Sequence, residues 1–127
     1  MRAFAACLCL LVGVTSSAAA DTLFASALLT STASAPLLDC LITNLGTRSA
    51  TVTSAAFADP DTGAVTPAGA NTCTTAPLAP NHTCSFSVTL AGNAGIALAH
   101  VRGSTKSLRG RCVLLKTGVF TDSEDMR

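Results

Sequence analysis

Residues 73–90 read CTTAPLAPNHTCSFSVTL and contain the most regular strand pattern in the 127-residue chain. From Thr83 onward, Ser and Thr alternate with an apolar set, which is Cys84, Phe86, Val88 and Leu90. Because successive side chains on a β-strand point to opposite faces, the pattern predicts a strand with one buried and one solvated face. Cys84 is therefore expected to point into the core, and a proline-containing turn separates it from Cys73.

Two further segments place a cysteine in an inward-facing apolar set. In LLDCLITN, residues 37–44, that set is Leu38, Cys40 and Ile42. In LRGRCVLLK, residues 108–116, it is Leu108, Gly110, Cys112 and Leu114. Both segments therefore predict half-buried strands whose cysteine faces the core.

The remaining segments are also strand-like, and helix signals are scarce. Residues with strand-forming composition are found at 22–29, 49–57 and 96–102. The sequence DPDTG at 59–63 predicts a turn, because Pro presets the turn dihedral and Gly tolerates positive φ. A loop is expected from there to Cys73, and the polar residues 121–127 are expected to form a flexible tail.

This succession of elements defines the fold class. About six or seven short strands, with turn signals roughly every ten residues and no βαβ alternation, favour an antiparallel β-sandwich or barrel. The class predicted from the pattern is all-β, and the fold occupies residues 21–120 as one domain.

The amino terminus has the features of a secretory signal peptide. Arg2 precedes an apolar run of about twelve residues, and small residues end at an Ala-x-Ala site before Asp21. Residues 1–20 are therefore predicted to be cleaved, which makes the protein secreted or periplasmic. The apolar run is shorter than the roughly 20 residues of a membrane-spanning helix, and no transmembrane segment is expected in the mature chain.

Cysteine usage supports an exported protein. Removal of the signal peptide takes Cys7 and Cys9 away, and the four that remain are Cys40, Cys73, Cys84 and Cys112. An even count in an exported domain predicts two disulfides, for which three connectivities exist. The strand pattern favours Cys73 with Cys84, and Cys40 with Cys112 through pairing of their strands.

Charge indicates no nucleic-acid partner. The mature chain carries seven basic and seven acidic residues, so its net charge is near zero. Arg102, Arg109 and Arg111 are candidate binding residues on one outer face of the last strand pair, where guanidinium groups suit carboxylate, phosphate or sulfated-glycan partners. The alternative is structural, since charged side chains also protect a sheet edge from aggregation.

Metal and catalytic sites are not expected. The chain has no Cys-x-x-Cys motif, and its only histidines are His82 and His100. It also lacks the Gly-x-Ser-x-Gly nucleophile motif, so neither a cofactor nor an enzymatic activity is predicted. Asn81, His82 and Thr83 form a sequon for N-glycosylation, which would be glycosylated only in a cell that has the required enzyme. In the alternative interpretation they are turn residues.

Residues 40–90 resemble the Hydin-type (ASH) and related immunoglobulin-like repeats of bacterial secreted proteins. The residues that carry the resemblance are Thr43, Asn44 and Gly46 in the first strand and turn, followed by Cys73, Leu78, Ala79, Pro80 and Cys84. The resemblance covers about half of the mature chain and implies an antiparallel immunoglobulin-like β-sandwich, used as a spacer, adhesive or protein-binding module. This all-β sandwich, with two disulfides, is the fold class predicted. It implies no shared catalytic residues.

The function predicted is a non-catalytic structural or protein-interaction module of the cell envelope, acting through an exposed sheet edge by strand addition. A protein partner or an envelope component would be its ligand. One alternative is a small secreted effector or inhibitor that acts through its loops, above all DPDTGAVTPAGANT at 59–72. A further alternative is a hydrolase of unrecognised type.

Overall fold

The computed structural model describes residues 20–26, 28–32, 35–116 and 119–127. The predicted signal peptide lies outside the described residues except for Ala20. The described residues form ten strands, in chain order: β1 Asp21–Ala25, β2 Leu29–Thr30, β3 Leu37–Asn44, β4 Thr51–Ala58, β5 Val65–Pro67, β6 Ala70–Asn71, β7 Thr83–Thr89, β8 Ala94–Arg102, β9 Leu108–Lys116 and β10 Val119–Met126. Within these described ranges, no helix is long and apolar enough to span a membrane.

The strands form two antiparallel sheets that pack as a sandwich. Sheet A has the order β1-β8-β4-β5, with β2 also paired to β8, and sheet B has the order β10-β9-β3-β7-β6. The first and last strands join the two sheets, because Ala25 and Arg127 exchange backbone hydrogen bonds of 2.9 and 2.8 Å. The predicted all-β sandwich is therefore confirmed.

The strand order refines the immunoglobulin-like prediction. Immunoglobulin constant-type sandwiches combine a sheet of strands A-B-E-D with a sheet of strands C-F-G. Strands β3, β4, β6, β7 and β8 have the neighbours expected of B, C, D, E and F. The end strands have exchanged sheets, since β9 lies beside β3 where A would lie, and β1 lies beside β8 where G would lie. Both run antiparallel to their neighbours, so the backbone ladders are preserved.

The core lies between the sheets and follows the predicted registers. Phe57 of sheet A and Phe86 of sheet B are both buried, with ring centroids 5.4 Å apart in a tilted arrangement. Such aromatic pairs add to the hydrophobic stabilisation from their buried area. The inward residues predicted on β3 and β9 are buried: Leu38, Cys40, Ile42, Leu108, Gly110, Cys112 and Leu114.

Both predicted disulfides are present. Cys40 and Cys112 are directly opposite each other on β3 and β9, so this bridge lies within sheet B. Cys73 and Cys84 close the short connection between β6 and β7. In the chain-entropy account, a bridge across 72 residues stabilises by about 4 kcal/mol and one across 11 residues by about 3 kcal/mol.

Two predictions about irregular segments were wrong. The residues predicted as a tail, 121–127, mostly belong to β10, which pairs with β9 from Val119 to Met126. Their polar composition lacks the apolar alternation that marks the other strands, although they pair with β9, the preceding strand in the chain. The expected loop at 63–72 contains β5 and β6, and its residues 67–70 pass from sheet A to sheet B.

Candidate interaction face

The structure separates the three candidate arginines. Arg109 and Arg111 lie on β9 in sheet B, whereas Arg102 lies on β8 in sheet A. The prediction that all three share one outer face is therefore wrong. It treated β8 and β9 as a hairpin pair, but the connection between them crosses from one sheet to the other.

Arg109 and Arg111 border a shallow depression on sheet B, about 260 Å³ in volume, together with Leu41 and Asp125. Arg109 Nη1 donates hydrogen bonds to the backbone oxygens of Leu108 at 2.8 Å and Lys106 at 3.2 Å. Arg111 Nη2 donates to Ser123 Oγ at 3.4 Å. Both guanidinium groups thus have partners within the protein, which favours the structural alternative for this pair.

The outer face of sheet B, named face B, has at least one polar or charged residue in every cross-strand row. The rows on β7, β3 and β9 are Thr83, Thr43 and Arg109; Ser85, Leu41 and Arg111; Ser87, Asp39 and Val113; and Thr89, Leu37 and Leu115. Burial raises the pKa of Asp39, and a hydrogen bond from the Cys40 N–H partly offsets this effect. Face B is therefore typical of a sheet surface that faces solvent.

The 73–84 segment serves as a structural staple at one end of the sandwich. Cys73 and Cys84 are buried and bonded to each other, so their sulfurs cannot act as thiolate ligands. Leu78 is buried and exchanges backbone hydrogen bonds of 3.0 and 2.7 Å with Ala50, at the start of β4. In the described part of the chain, no group of three or more His, Cys, Asp or Glu residues is arranged to hold a metal.

Asn44 ties this segment to the end of β3. Its side chain is fully buried, its Nδ2 donates to Arg48 O at 2.8 Å and Leu78 O at 2.9 Å, and its Oδ1 accepts from Gly46 N–H at 2.9 Å. Its backbone oxygen accepts from Asn81 N–H at 2.7 Å. Asn44 is thus a satisfied buried polar residue. The sequence identified it only as a turn former.

The sequon and the histidines have local roles. Asn81 is exposed in a left-handed conformation with φ of 59°, which Asn tolerates better than most residues. His82 Nδ1 lies 2.9 Å from Pro80 O, and Thr83 Oγ1 bonds Thr43 Oγ1 at 2.8 Å. His100 lies in the other sheet, on the exposed side of β8. The two histidines therefore belong to different parts of the fold.

The outer face of sheet A differs from face B, because two of its cross-strand rows contain only apolar residues. The first row is Ala25, Leu98, Ala56 and Pro67, and the second is Ile96, Ala58 and Val65. We name these seven residues, together with the neighbouring Leu23, face A. Leu23 is 50% exposed and Val65 60% exposed, and the remaining members are exposed or partly buried.

Face A was missed by the sequence analysis, although β8 carries a signal for it. In AGIALAHVR, Ala97, Ala99 and Val101 point inward and are buried, while Ile96 and Leu98 point outward. A strand that is apolar on both sides is typical of a sheet covered on both faces. A contiguous exposed apolar patch of a few hundred Å² commonly marks an interaction site.

Charged and polar residues flank face A at its two ends. At one end, Asp21, Arg102 and Thr51 form a row, and Thr53 Oγ1 donates to Asp21 Oδ2 at 2.6 Å. At the other end, the turn after β4 begins with Asp59, whose Oδ1 accepts from the backbone N–H groups of Asp61 and Thr62 at 2.8 and 3.1 Å. These two bonds lower the pKa of Asp59.

Two hollows also lie at the open ends of the sandwich. One, of about 290 Å³, lies between the sheets at the end nearest the 91–93 turn and is lined in part by Phe57, Val88 and Leu90. The other, of about 350 Å³, lies at the opposite end and is bordered by Lys106 and Arg127. The second hollow also has Thr105 and Asp125 in its lining.

The chain matches no protein-family model, and no curated protein or solved structure is found to be similar to it.

Proposed function

We propose that the protein is a non-catalytic structural or protein-interaction module of the cell envelope that acts through face A, outside the cytoplasm. The observation that carries this proposal is the pair of adjoining apolar rows across four strands of sheet A. Apolar side chains in such a patch are stabilised when a partner removes them from water, by about 25 cal/mol per Å². The partly buried backbone beneath it is a rigid sheet, which reduces the entropic cost of binding.

Other features support a location outside the cytoplasm. Two intramolecular disulfides persist most readily in an oxidising compartment. Two features of the sequence support the same proposal. One is the signal-peptide pattern at the amino terminus, and the other is the resemblance of residues 40–90 to secreted immunoglobulin-like repeats. Together they favour an exported module over an intracellular enzyme.

The sheet face is a better binding surface than the sheet edges. β5 is three residues long and ends in Pro67, which has no N–H to donate, and β6 has only two residues. β10 is longer, but its sequence VFTDSEDM contains three acidic residues, and charge on an edge strand opposes strand addition. β1, the other edge of sheet A, is joined to the end of β10, because Ala25 and Arg127 exchange backbone hydrogen bonds. We therefore assign the interaction to face A and not to an added strand.

The loop-based alternative also has an observation in its favour. The turn after β4 is organised by the two Asp59 hydrogen bonds and by Gly63 at φ of 70°, and residues 61–67 are exposed. A preformed exposed loop suits an inhibitor, because little entropy is lost on binding. A protease-inhibition screen with purified protein tests this second candidate.

Fractionation of the cells that make the protein tests the main proposal. Leu98→Lys places a charge at the centre of face A, and Leu41→Lys places the same charge on face B, where the leucine is 46% exposed. We expect the wild type and Leu41→Lys to sediment with envelope material, and Leu98→Lys to appear in the soluble fraction. Non-reducing mass spectrometry should show a chain that begins at Asp21 with both disulfides in each case.

The proposal fails if the wild-type protein does not associate with the envelope. It also fails if Leu98→Lys associates as fully as the wild type, because face A would then be dispensable. Equal release of both lysine variants would indicate a general effect of added charge and would remove the special role of face A.

A further inference from the structure

The end of the sandwich that contains the β3–β4 and β8–β9 connections combines exposed cations with an exposed leucine. We propose that this end docks on a membrane surface containing anionic phospholipids, with Leu45 entering the headgroup layer. The docking end is separate from face A, so the inference goes beyond the proposed function. Uncompensated positive charge, an apolar residue within that charge and a rigid connection that holds both support it.

Two cations at this end are offset by carboxylates on neighbouring strands. Arg102 is directly opposite Asp21 of β1, and Arg111 is directly opposite Asp125 of β10. The exposed cations that remain there are Arg48, Lys106, Arg109 and Arg127. We name these four residues, together with Leu45, the basic end.

The hollow of about 350 Å³ brings three of these cations together. Lys106, Arg109 and Arg127 border it, and Asp125 is the one acidic residue among its described lining residues. Arg109 is held at the rim by its hydrogen bonds to the backbone oxygens of Leu108 and Lys106. Those oxygens are uncharged, so they fix the position of the guanidinium group and leave its positive charge available.

The charge of the basic end suits reversible binding to an anionic surface. Each Lys or Arg near such a surface strengthens binding by about fivefold, so four of them contribute on the order of several hundredfold. This is a weak contact by itself. It holds a protein at a membrane when a second contact acts with it.

Leu45 indicates that the anionic surface is a lipid surface. It is 58% exposed in the connection between β3 and β4, and its N–H donates to Ser107 O at 2.9 Å, next to Lys106. An apolar side chain flanked by cations is typical of interfacial membrane binding, in which the apolar group enters the headgroup boundary. A soluble polyanion would leave Leu45 in water, so its position favours a lipid surface.

The connection that carries Leu45 and Arg48 is held in place from below. Buried Asn44 donates from Nδ2 to Arg48 O at 2.8 Å and accepts at Oδ1 from Gly46 N–H at 2.9 Å. A Cβ on Gly46 would lie 2.8 Å from Ser107 Oγ, so the two connections are in close contact. Because the segment is already ordered, docking costs little conformational entropy.

The opposite end of the sandwich determines the orientation on the membrane. Asp59 and Asp61 lie there, in the turn after β4, and an anionic surface repels them. The molecule therefore stands on its basic end with its strands directed away from the membrane. Face A then lies on the side of the molecule, where it is accessible to a partner.

Co-sedimentation of the purified exported protein with phospholipid vesicles tests the inference. The wild type should bind vesicles of phosphatidylcholine with about 30% phosphatidylserine at least about tenfold more tightly than phosphatidylcholine alone, and about 0.5 M NaCl should release it. Arg48→Gln and Lys106→Gln should each lower the partition coefficient about fivefold. Leu45→Ser should lower it about tenfold, because a leucine side chain is lost from the lipid. All three positions are exposed, so the fold is retained.

Two controls separate the basic end from the rest of the surface. Leu41→Ser makes the same change on face B, where the leucine is 46% exposed, and should leave the partition coefficient unchanged. The double variant Lys106→Gln with Asp61→Asn has the net charge of the wild type. It should still bind as weakly as Lys106→Gln, because the position of the charge and not its total determines docking.

The docking is ruled out if the wild type binds both kinds of vesicle equally, or if Arg48→Gln and Lys106→Gln bind as well as the wild type. Weaker binding by these two variants with full binding by Leu45→Ser would indicate a site for a soluble polyanion and would overturn the lipid surface. Recovery by the double variant would overturn the role of the basic end, since total charge would then suffice.

These results are distinguishable from failure of the proposed function. Leu98→Lys should keep its vesicle binding, because face A does not contact the membrane. If it does, and the same variant stays with the envelope in cells, the basic end is retained and the role of face A is lost. Release of Leu98→Lys in cells, for a protein that binds no vesicles, has the opposite meaning.

Discussion

The two sheets of this sandwich differ in how they are held together and in what they present to solvent. Sheet B contains the Cys40–Cys112 bridge between neighbouring strands, and face B has a polar or charged residue in every row. No disulfide joins the described strands of sheet A, and face A contains two rows without any polar side chain. One sheet is therefore cross-linked and solvated, and the other relies on packing and hydrogen bonding.

This difference shows how a small domain with few aromatic residues can be stable and still expose an apolar surface. Apolar residues on an outer face add little buried area to the core. The fold therefore needs stabilisation from another source. The disulfides supply that support through the unfolded state, without requiring buried area. Sheet A can then keep alanine, leucine and isoleucine on its outer face, which is the surface of the proposed interaction.

The largest effect is expected from removing the bridge within sheet B. Replacing both Cys40 and Cys112 with alanine should lower the free energy of unfolding by about 4 kcal/mol, because the unfolded chain regains the freedom of a 72-residue loop. Urea denaturation of the purified protein measures this change. The matched pair, Cys73→Ala with Cys84→Ala, should cost about 3 kcal/mol because its loop is shorter.

The comparison of the two sheets depends on which of the two disulfides contributes more to the free energy of unfolding. If loss of the Cys73–Cys84 bridge is the more damaging, the cross-link within sheet B is not the main covalent support of the fold. The idea that sheet B compensates for the apolar outer face of sheet A would then be contradicted.

A smaller effect is expected where the two sheets approach each other closely. Gly110 lies on the inner side of β9, and a Cβ there would be 2.7 Å from both Met126 Cβ and Phe24 Cε1 of β1. Gly110→Ala should therefore destabilise the protein by about 1–3 kcal/mol through overpacking. Gly92→Ala is the control, because its Cβ would meet nothing within 4 Å, and it should change the stability by less than about 0.5 kcal/mol. Equal denaturation midpoints for the two variants would show that the sheets separate easily at this point.

The smallest effect concerns two aspartates, one on each sheet, whose pKa values are displaced in opposite directions. Burial raises the pKa of Asp39 on face B, so ionisation of Asp39 destabilises the fold, and this penalty is relieved as the pH falls through its raised pKa. Backbone hydrogen bonds lower the pKa of Asp59 after β4. Its contribution is therefore stabilising above the ordinary aspartate pKa of about 3.9, and is lost as the pH falls through the lowered value.

Thermal unfolding between pH 3 and pH 7 measures both contributions. At pH 7, Asp39→Asn should melt at a higher temperature than the wild type, and Asp59→Asn at a lower temperature. Both differences should shrink towards the acid end of the range, where the aspartates become protonated. A change of the same sign for the two variants would contradict the opposite environments assigned to them.

Most of the fold could be predicted because the alternation of apolar and polar residues is local. The strand that begins at Thr83, the inward direction of Cys84 and the pairing of Cys40 with Cys112 are as expected. The role of Asn44 could not be predicted, because its partners at Leu78 and Asn81 are more than 30 residues away. β10 was missed for a different reason: it pairs with the preceding strand β9, but its polar residues lack the apolar alternation by which the other strands were recognised.

The candidate site was predicted less well than the fold. The prediction that Arg102, Arg109 and Arg111 share one face assumed that β8 and β9 lie in the same sheet. The connection after Arg102 instead crosses to the other sheet. Face A depends on four strands drawn from residues 21–102, so no short segment contains the pattern. The one local sign was the apolar outer side of β8, at Ile96 and Leu98.

The sequence by itself determined the all-β class, the inward direction of Cys40, Cys84 and Cys112 and the number of disulfides, because side-chain alternation and cysteine parity are properties of the chain. Only the tertiary structure decided which strands became neighbours, and so placed Arg102 apart from Arg109 and assembled face A. The physical reason is that strand pairing joins residues through backbone groups that are the same at every position. The choice of neighbour therefore follows from how the two sheets bury their common core, and not from any local pattern.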